Sequence, residues 1–554
     1  MAKVTRNLLG FPGLVWTLVV AVGVMAPVLS AQQPATPPAS GSTQAQQQAP
    51  AALTPMQQSQ PIDKYVVGRA LPPNDIVPGR EMKDLTLEQA VAIALEKNLD
   101  LKATKMEPQS VDYQLASARA SFIPSVNAGY TFSNSTTASN NTLEGVNYLT
   151  NIGQGFNGGM SHTLPWFGSS YSLAFNNNRQ TTNNVTTRLN PSYSSDLRLG
   201  YSMPILSGFK MDNTRNQLRT LAITRQISDI NVLAAVENLR NQVRVSYWAL
   251  RSAIEQIEIS KRALDIARQS FDQSRMRVEI GTSAPIDTVQ FETAVFNQEQ
   301  LLLAAQIGWR TAEINFKRLL ASGADDEIYN FTLNPIDLPE LSVQSVDIQA
   351  AMTKALAERT DLIVARRNID SSNLSLEVSK SQTLPNLAMT AGYRLSGQGG
   401  TQRLQDGTIL PGGIGDALNA IAGFDTPAWN LGFNLTYPLG MRAARANYAR
   451  SLLAVDQSQA RLKASELNVQ TEVVNAGLNV ENSYKQYEAS QKARQAAERN
   501  ADAAQTRFDV GMATNFEVVQ LQNQLTTSRL QELSRLIAYV NAVAEFDRVQ
   551  RVGR

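Results

Sequence analysis

The stretch "RVEIGTSAPIDTVQ" (Arg277–Gln290) returns as "RFDVGMATNFEVVQ" (Arg507–Gln520) at a constant offset of 230 positions. Arg277 matches Arg507, Gly281 matches Gly511, Asp287 matches Glu517 and Gln290 matches Gln520. Nearer the N-terminus, "LEQAVAIALEKNLDL" (Leu87–Leu101) returns as "IQAAMTKALAERTDL" (Ile348–Leu362), and "FIPSVNAGY" (Phe122–Tyr130) as "TLPNLAMTAGY" (Thr383–Tyr393). The chain is a tandem duplication of roughly 230–260 residues per copy, and a repeat of that length constrains the whole architecture.

Each copy of the opening motif ends a very long helical pattern. Residues 212–280 and 442–510 contain no proline, and Gly477 is their single glycine. At 1.5 Å per residue each predicts a helix of roughly 100 Å. A Gly-containing turn follows, then a return helix over 285–321 and over 515–551, roughly 55 Å long. Small residues and apolar residues three or four apart suit close packing with water on both sides.

Upstream of each long helix the pattern changes to period two. In the predicted strand 125–133, Val126, Ala128, Tyr130 and Phe132 oppose Asn127, Gly129, Thr131 and Ser133. In 193–203, Leu197, Leu199, Tyr201 and Met203 oppose Asp196, Arg198, Gly200 and Ser202. The second copy repeats this over 386–395 and 429–437, with Trp429, Leu431, Phe433, Leu435 and Tyr437 on one face. Alternation with an aromatic-rich apolar face suits a lipid-facing barrel strand, although a half-buried sandwich strand has the same pattern. Prolines mark the junctions: Pro124 and Pro385 before the strands, Pro204 and Pro438 after them. Proline lacks an N–H and disfavours helix at the residue before it, so it suits a switch from helix to strand.

The first copy alone carries an insertion, read as a hairpin near 156–178 with Tyr171, Leu173 and Phe175 alternating against polar residues. It adds to the barrel wall or stands as an extracellular decoration; the sequence leaves both open.

The N-terminus reads as a secretory signal peptide over 1–31, with Lys3 and Arg6 before the apolar run Leu14–Val24. Residues 32–84 form a leader: up to about residue 60 it is Gln-, Pro- and Ala-rich and cannot bury enough apolar surface to order itself, and over 61–84 it carries several prolines and is expected to run extended along the body. The first repeat spans 85–321, a linker 322–345, and the second repeat 346–551. No later stretch is an apolar helix of about 20 residues, so a membrane crossing requires a closed β-barrel. The 50 Lys+Arg against 48 Asp+Glu leave no basic excess for nucleic acid. There is no cysteine and a single histidine, His162, which removes Cys/His and Ser/His nucleophiles and common zinc sites. The expectation is a protein without enzymatic activity, cofactor or metal.

The duplicated helix–strand–strand–helix unit, the "LxxAlxxAlxxNxdL" opening and the tip motif "VGxxxxxDv" together resemble the TolC-like outer-membrane efflux protein family over residues 85–551. The resemblance implies an α+β fold: a homotrimeric transmembrane β-barrel in outer-membrane lipid, continued by a long periplasmic α-helical barrel. It further implies docking on a periplasmic adaptor and an inner-membrane pump of the RND or ABC type. Two strand pairs per chain are too few to close a water-filled barrel alone, and three chains give about twelve strands if the insertion stays out.

The resemblance places function at the two helix tips. Gly281, Thr282, Gly511 and Met512 would meet the adaptor. Glu517, Gln520, Asp287 and Phe508 would surround the entrance constriction, with Glu517 forming a threefold acidic ring. The positions of the family's second acidic residue and gating arginine are Gln520 and Ala513 here. Asp287 either belongs to that constriction or simply complements the positive start of its helix. Arg277 and Arg507 either pair with Asp287 or Glu517 as gating salt bridges or simply cap the long helices. The rival reading is a periplasmic adaptor or structural coiled coil without a pore. Which substrate passes lies beyond the sequence.

Overall fold

The computed structural model describes residues 72, 80–140, 142–339, 346–404 and 408–550. The expected signal peptide, most of the leader, residues 340–345 of the linker and residue 551 lie outside the described residues.

The end of the leader forms β1 (Met82–Leu85), ordered by parallel pairing with the strand Thr332–Pro335, and the first repeat runs α1 (Leu87–Lys97), α2 (Leu99–Ala120), β2 (Ser125–Ala138), β3 (Tyr148–Thr163), β4 (Ser170–Thr182), β5 (Leu189–Pro204), α3 (Asn213–Glu279) and α4 (Pro285–Leu320). The linker holds β6 (Thr332–Pro335), and the second repeat runs α5 (Ile348–Glu358), α6 (Thr360–Ser381), β7 (Asn386–Arg403), β8 (Ile409–Leu410), α7 (Ile414–Ala422), β9 (Pro427–Thr436), α8 (Arg442–Asp509) and α9 (Asn515–Gln550). No helix among the described residues is long and apolar enough to cross a membrane.

Local chemistry sets the helix starts. Thr86 and Gln89 form a reciprocal capping box on α1, with bonds of 3.2 and 3.1 Å. Asn98 breaks the helix and caps α2 through a 3.0 Å bond from the Leu101 N–H. In the second repeat Asp347 caps α5 the same way, at 3.0 Å from the Ala350 N–H.

Each long helix is packed along its first half by the shorter helix before the strands and along its second half by its return helix. Arg225 of α3 reaches Asp112 of α2 at 2.8 Å. Serine pairs seat α6 on α8: Ser379 with Ser451 at 2.7 Å, and Ser372 with Ser458 at 3.2 Å. The main core surrounds Tyr247, Trp309, Phe316 and Leu320, all fully buried, where α1, α3 and α4 meet. Each such side chain contributes about 1.5–3 kcal/mol by leaving water. The Tyr247 hydroxyl donates to the Leu85 carbonyl and accepts from the Asp337 N–H, both at 3.0 Å, and so ties α3 to the parallel β1–β6 ribbon. Burial pushes its pKa up.

The second repeat builds a matching core from Val469, Val473, Val480, Tyr539 and Phe546. Gly477 has a reason to lack a side chain: a Cβ there would meet the Ile348 side chain at 2.8 Å. That glycine lets α5 lie close on α8.

The remaining strands form one antiparallel sheet in the order β2-β3-β4-β5-β7-β9, with the two-residue β8 added to β7. The insertion in the first repeat is therefore inside the sheet, as β3 and β4. It spans more residues than the sequence pattern indicated, because glycine-rich "GQGFNGG" pairs fully along its length. β2, β5 and β7 also run beyond the alternating cores read from sequence. Their outer ends are Ser-, Thr- and Gly-rich, and backbone pairing with a neighbour substitutes for side-chain pattern there. Pro124 and Pro385 directly precede β2 and β7, Pro204 ends β5, and Pro438 follows β9.

Candidate functional site: the paired helix tips

The two tips have the same backbone. Ile280 caps the end of α3, and Gly281 follows at φ +78. The Gly281 N–H donates to Val278 at 3.0 Å and the Thr282 N–H to Arg277 at 2.8 Å. Val510 caps the end of α8, and Gly511 follows at φ +79, with the Gly511 N–H on Phe508 at 3.0 Å and the Met512 N–H on Arg507 at 2.7 Å. Both are Schellman endings, which need a left-handed residue just past the helix. This is why glycine occupies Gly281 and Gly511. A Cβ at either would meet nothing within 4 Å, so conformation alone demands glycine there, not space.

The return helices start differently. α4 has Pro285 at its first turn and Ala284 as cap, and Asp287 accepts from the Ala284 N–H at 3.3 Å. The Asp287 carboxylate is thus committed to its own helix start. In α9 the cap is Thr514, whose hydroxyl accepts from the Glu517 N–H at 3.3 Å. That leaves the Glu517 carboxylate to pair with Arg507 at 3.0 Å, in a half-exposed bridge from α8 to α9. Arg277 pairs with neither Asp287 nor Glu517. Its guanidinium lies 4.3 Å from the Phe508 ring centroid, donates to the Phe508 carbonyl at 3.3 Å and reaches Asp509 at 3.4 Å. It therefore joins the first hairpin to the second.

Phe508 is buried and packs on Phe291, Ala504 and Val518, with the Phe291 ring 6.0 Å away. It holds the two hairpins of one copy together. Gln520 is exposed on α9, one turn beyond Glu517. Between the tips lies an open cleft of about 620 Å³, lined by Arg277, Asp287, Phe508, Asp509 and Asn515 among others.

The sequence reading passed over the apolar residues at these turns. Ile280 is 74%, Ile286 67%, Val510 67%, Met512 77% and Phe516 66% exposed. A helix tip facing only water would be polar, and clustered apolar exposure marks an interaction surface. The available signal was apolar residues directly flanking a helix-ending glycine, twice.

A family model described as "Outer membrane efflux protein" matches residues 90–322 and 351–549. The chain belongs to the outer membrane efflux protein family. Both repeats are covered, including both tips and the strands between helices. No curated protein matches by sequence. Among solved structures, the Campylobacter jejuni CmeC outer membrane channel is similar with 16% identity, a TM-score of 0.61, and 84% of this chain and 86% of that one covered. The Vibrio cholerae outer membrane protein VceC is similar with 13% identity, a TM-score of 0.59, and coverage of 84% and 97%. The open state of the Neisseria gonorrhoeae MtrE outer membrane channel follows with 16% identity, a TM-score of 0.55, and coverage of 84% and 88%. At these identities the likeness shows the fold. This outer membrane efflux protein is a channel, not an enzyme, with a large periplasmic helical part.

Proposed function

We propose that three copies form a passive, gated conduit that serves a pump in the inner membrane through a periplasmic adaptor. The observation that carries this reading is the pair of identical glycine-ended tips, which display Ile280, Ile286, Met512 and Phe516 to a partner. The RND or ABC pump supplies the energy; this chain supplies the path across the periplasm and outer membrane. Gly281, Thr282, Gly511 and Met512 form the centre of the adaptor surface. Three Glu517 carboxylates, with Gln520 beside them, line the constriction and favour cations. Opening separates Arg507 from Glu517. An exposed pair of this kind is worth about 0–1 kcal/mol, so adaptor binding can break it readily.

Single-channel recording in a planar bilayer with a salt gradient tests the conduit. Discrete, cation-preferring steps are expected, and a folded trimer that never inserts would remove the reading. Replacing Glu517 with alanine should shift the reversal potential toward zero selectivity. An unchanged potential would show that Glu517 does not line the narrowest point.

Introducing aspartate at Gly511 should reduce co-purification of the adaptor from the cell envelope by tenfold or more while the trimer persists. The new side chain has room but sits at positive φ, at a cost of roughly 1–2 kcal/mol. Gly511→Ala carries the same strain without the charge and should bind nearly normally. Equal adaptor recovery by Gly511→Asp would place docking elsewhere.

A further inference from the structure

We propose that the inserted hairpin β3–β4 is part of the transmembrane wall, so that three copies close an eighteen-stranded barrel rather than a twelve-stranded one. The inference rests on the trimeric conduit proposed above and concerns its bore.

Register argues first. Val126, Met160, Leu173, Leu199, Tyr393 and Trp429 form one unbroken row across all six long strands. The neighbouring row, on the opposite face, is Ser125, Ser161, Ser172, Gly200, Gly392 and Asn430. The hairpin thus extends both the apolar face and the polar face without a slip, as a wall strand with lipid on one side and water on the other must. An extracellular decoration has no need for either. On the polar face Asn176 of β4 donates to Asp196 of β5 at 3.1 Å, and Arg198 pairs with the same carboxylate at 2.7 Å.

Anchoring argues second. The β3–β4 turn lies at the helical end of the sheet. Its Phe167 stacks on Phe209, just before α3, at 4.8 Å. His162 makes a 2.9 Å hydrogen bond with the Phe122 carbonyl, just before β2. The hairpin therefore spans the full distance between the two ends of its neighbours.

The edges argue third. β2 and β9 end the sheet, carry no charged residue, and leave Val126 and Trp429 each 78% exposed. Soluble edge strands are guarded by charge or bulges; these are open to a second copy. β2 runs away from the helices and β9 returns, so a β2–β9 junction between copies is antiparallel like every junction within one. With six wall strands per copy, three copies give eighteen.

Strands about 4.8 Å apart and tilted by about 40° give a backbone diameter of roughly 24 Å for twelve strands and roughly 36 Å for eighteen. The wider barrel gives the outer-membrane portion a larger bore than twelve strands would, and the lumen there admits bulky polar solutes.

The experiment is single-particle imaging of the full chain in lipid nanodiscs, with exclusion of neutral polymers of graded size added from the extracellular side. Eighteen wall strands, and a polymer cut-off radius about half again as large as that of a variant with residues 139–188 replaced by a short turn, are expected. Twelve wall strands with the hairpin outside, or equal cut-offs, would overturn the inference and leave the conduit standing. A chain that forms no inserted trimer would take both down. Should the shortened variant fail to assemble, labelling decides. The chain has no cysteine, so a water-soluble thiol reagent should modify Ser172→Cys through the lumen and spare the lipid-covered Leu173→Cys. Equal labelling of the two neighbours would place the hairpin in water on both faces.

Discussion

Replacing Glu313 with alanine is expected to cost about 3–5 kcal/mol and to lower the unfolding midpoint of the solubilised protein by many degrees. Glu313 is fully buried on α4, and its carboxylate meets Lys317 at 2.7 Å, pairs with Arg310 and accepts from the Leu333 N–H at 3.3 Å. Lys317, also buried, donates to the Phe331 carbonyl. The group therefore fastens the return helix to the β1–β6 ribbon. Without Glu313 the Lys317 ammonium stays buried and loses its counter-charge, and that penalty exceeds the modest net value of the intact pair.

Burial already pulls the Lys317 pKa below its ordinary value. Between that lowered pKa and the ordinary one, the folded chain binds fewer protons than the unfolded chain, so stability rises with pH in that window. In the Glu313→Ala protein the window widens downward. Part of the lost stability should return as the pH is raised toward the ordinary lysine range. Denaturation followed by circular dichroism at several pH values checks both statements. A midpoint like that of the parent at neutral pH would show that the pair contributes no stability.

Replacing Phe508 with alanine should cost a similar amount, about 3–5 kcal/mol, but only at the tips. The ring fills the space between Phe291, Ala504 and Val518, and its face holds the Arg277 guanidinium. A cavity there separates the first hairpin from the second. The cores around Tyr247 and Tyr539 belong to separate clusters and should not feel it. The expected result is a several-fold rise in single-channel conductance, with faster proteolysis near Gly281 and Gly511 and an unchanged global unfolding midpoint. Phe508→Leu, which refills most of the volume, should lie near the parent. Loosened tips with unchanged conductance would separate the Phe508 packing from gating.

These two residues also divide what sequence reading reaches from what it misses. Phe508 is visible in sequence because it sits one turn before a repeated glycine. Its role is not: the sequence places it at the entrance, whereas Phe291, far away in the chain, and Val518, across the turn, bury it inside one copy. Glu313 gives no signal at all, since an Arg310–Glu313–Lys317 run on a helix reads as an ordinary solvated face. Arg277 has two acidic candidates in the sequence, Asp287 and Glu517, yet its guanidinium turns to the Phe508 carbonyl and Asp509 at the end of the second hairpin's long helix.

The sequence by itself determined the duplication, the helix–strand–strand–helix order, the glycine endings and the two-faced strands. Those follow from local rules: periodicity of 3.6 or 2, proline's missing donor, glycine's access to positive φ. Tertiary structure decided whatever depends on residues far apart in the chain. It placed the hairpin inside the sheet, because pairing partners are chosen by register with β2 and β5, not by any pattern within β3 and β4. It also committed Asp287 to its own helix and Glu517 to Arg507, because a threonine caps one return helix and an alanine the other.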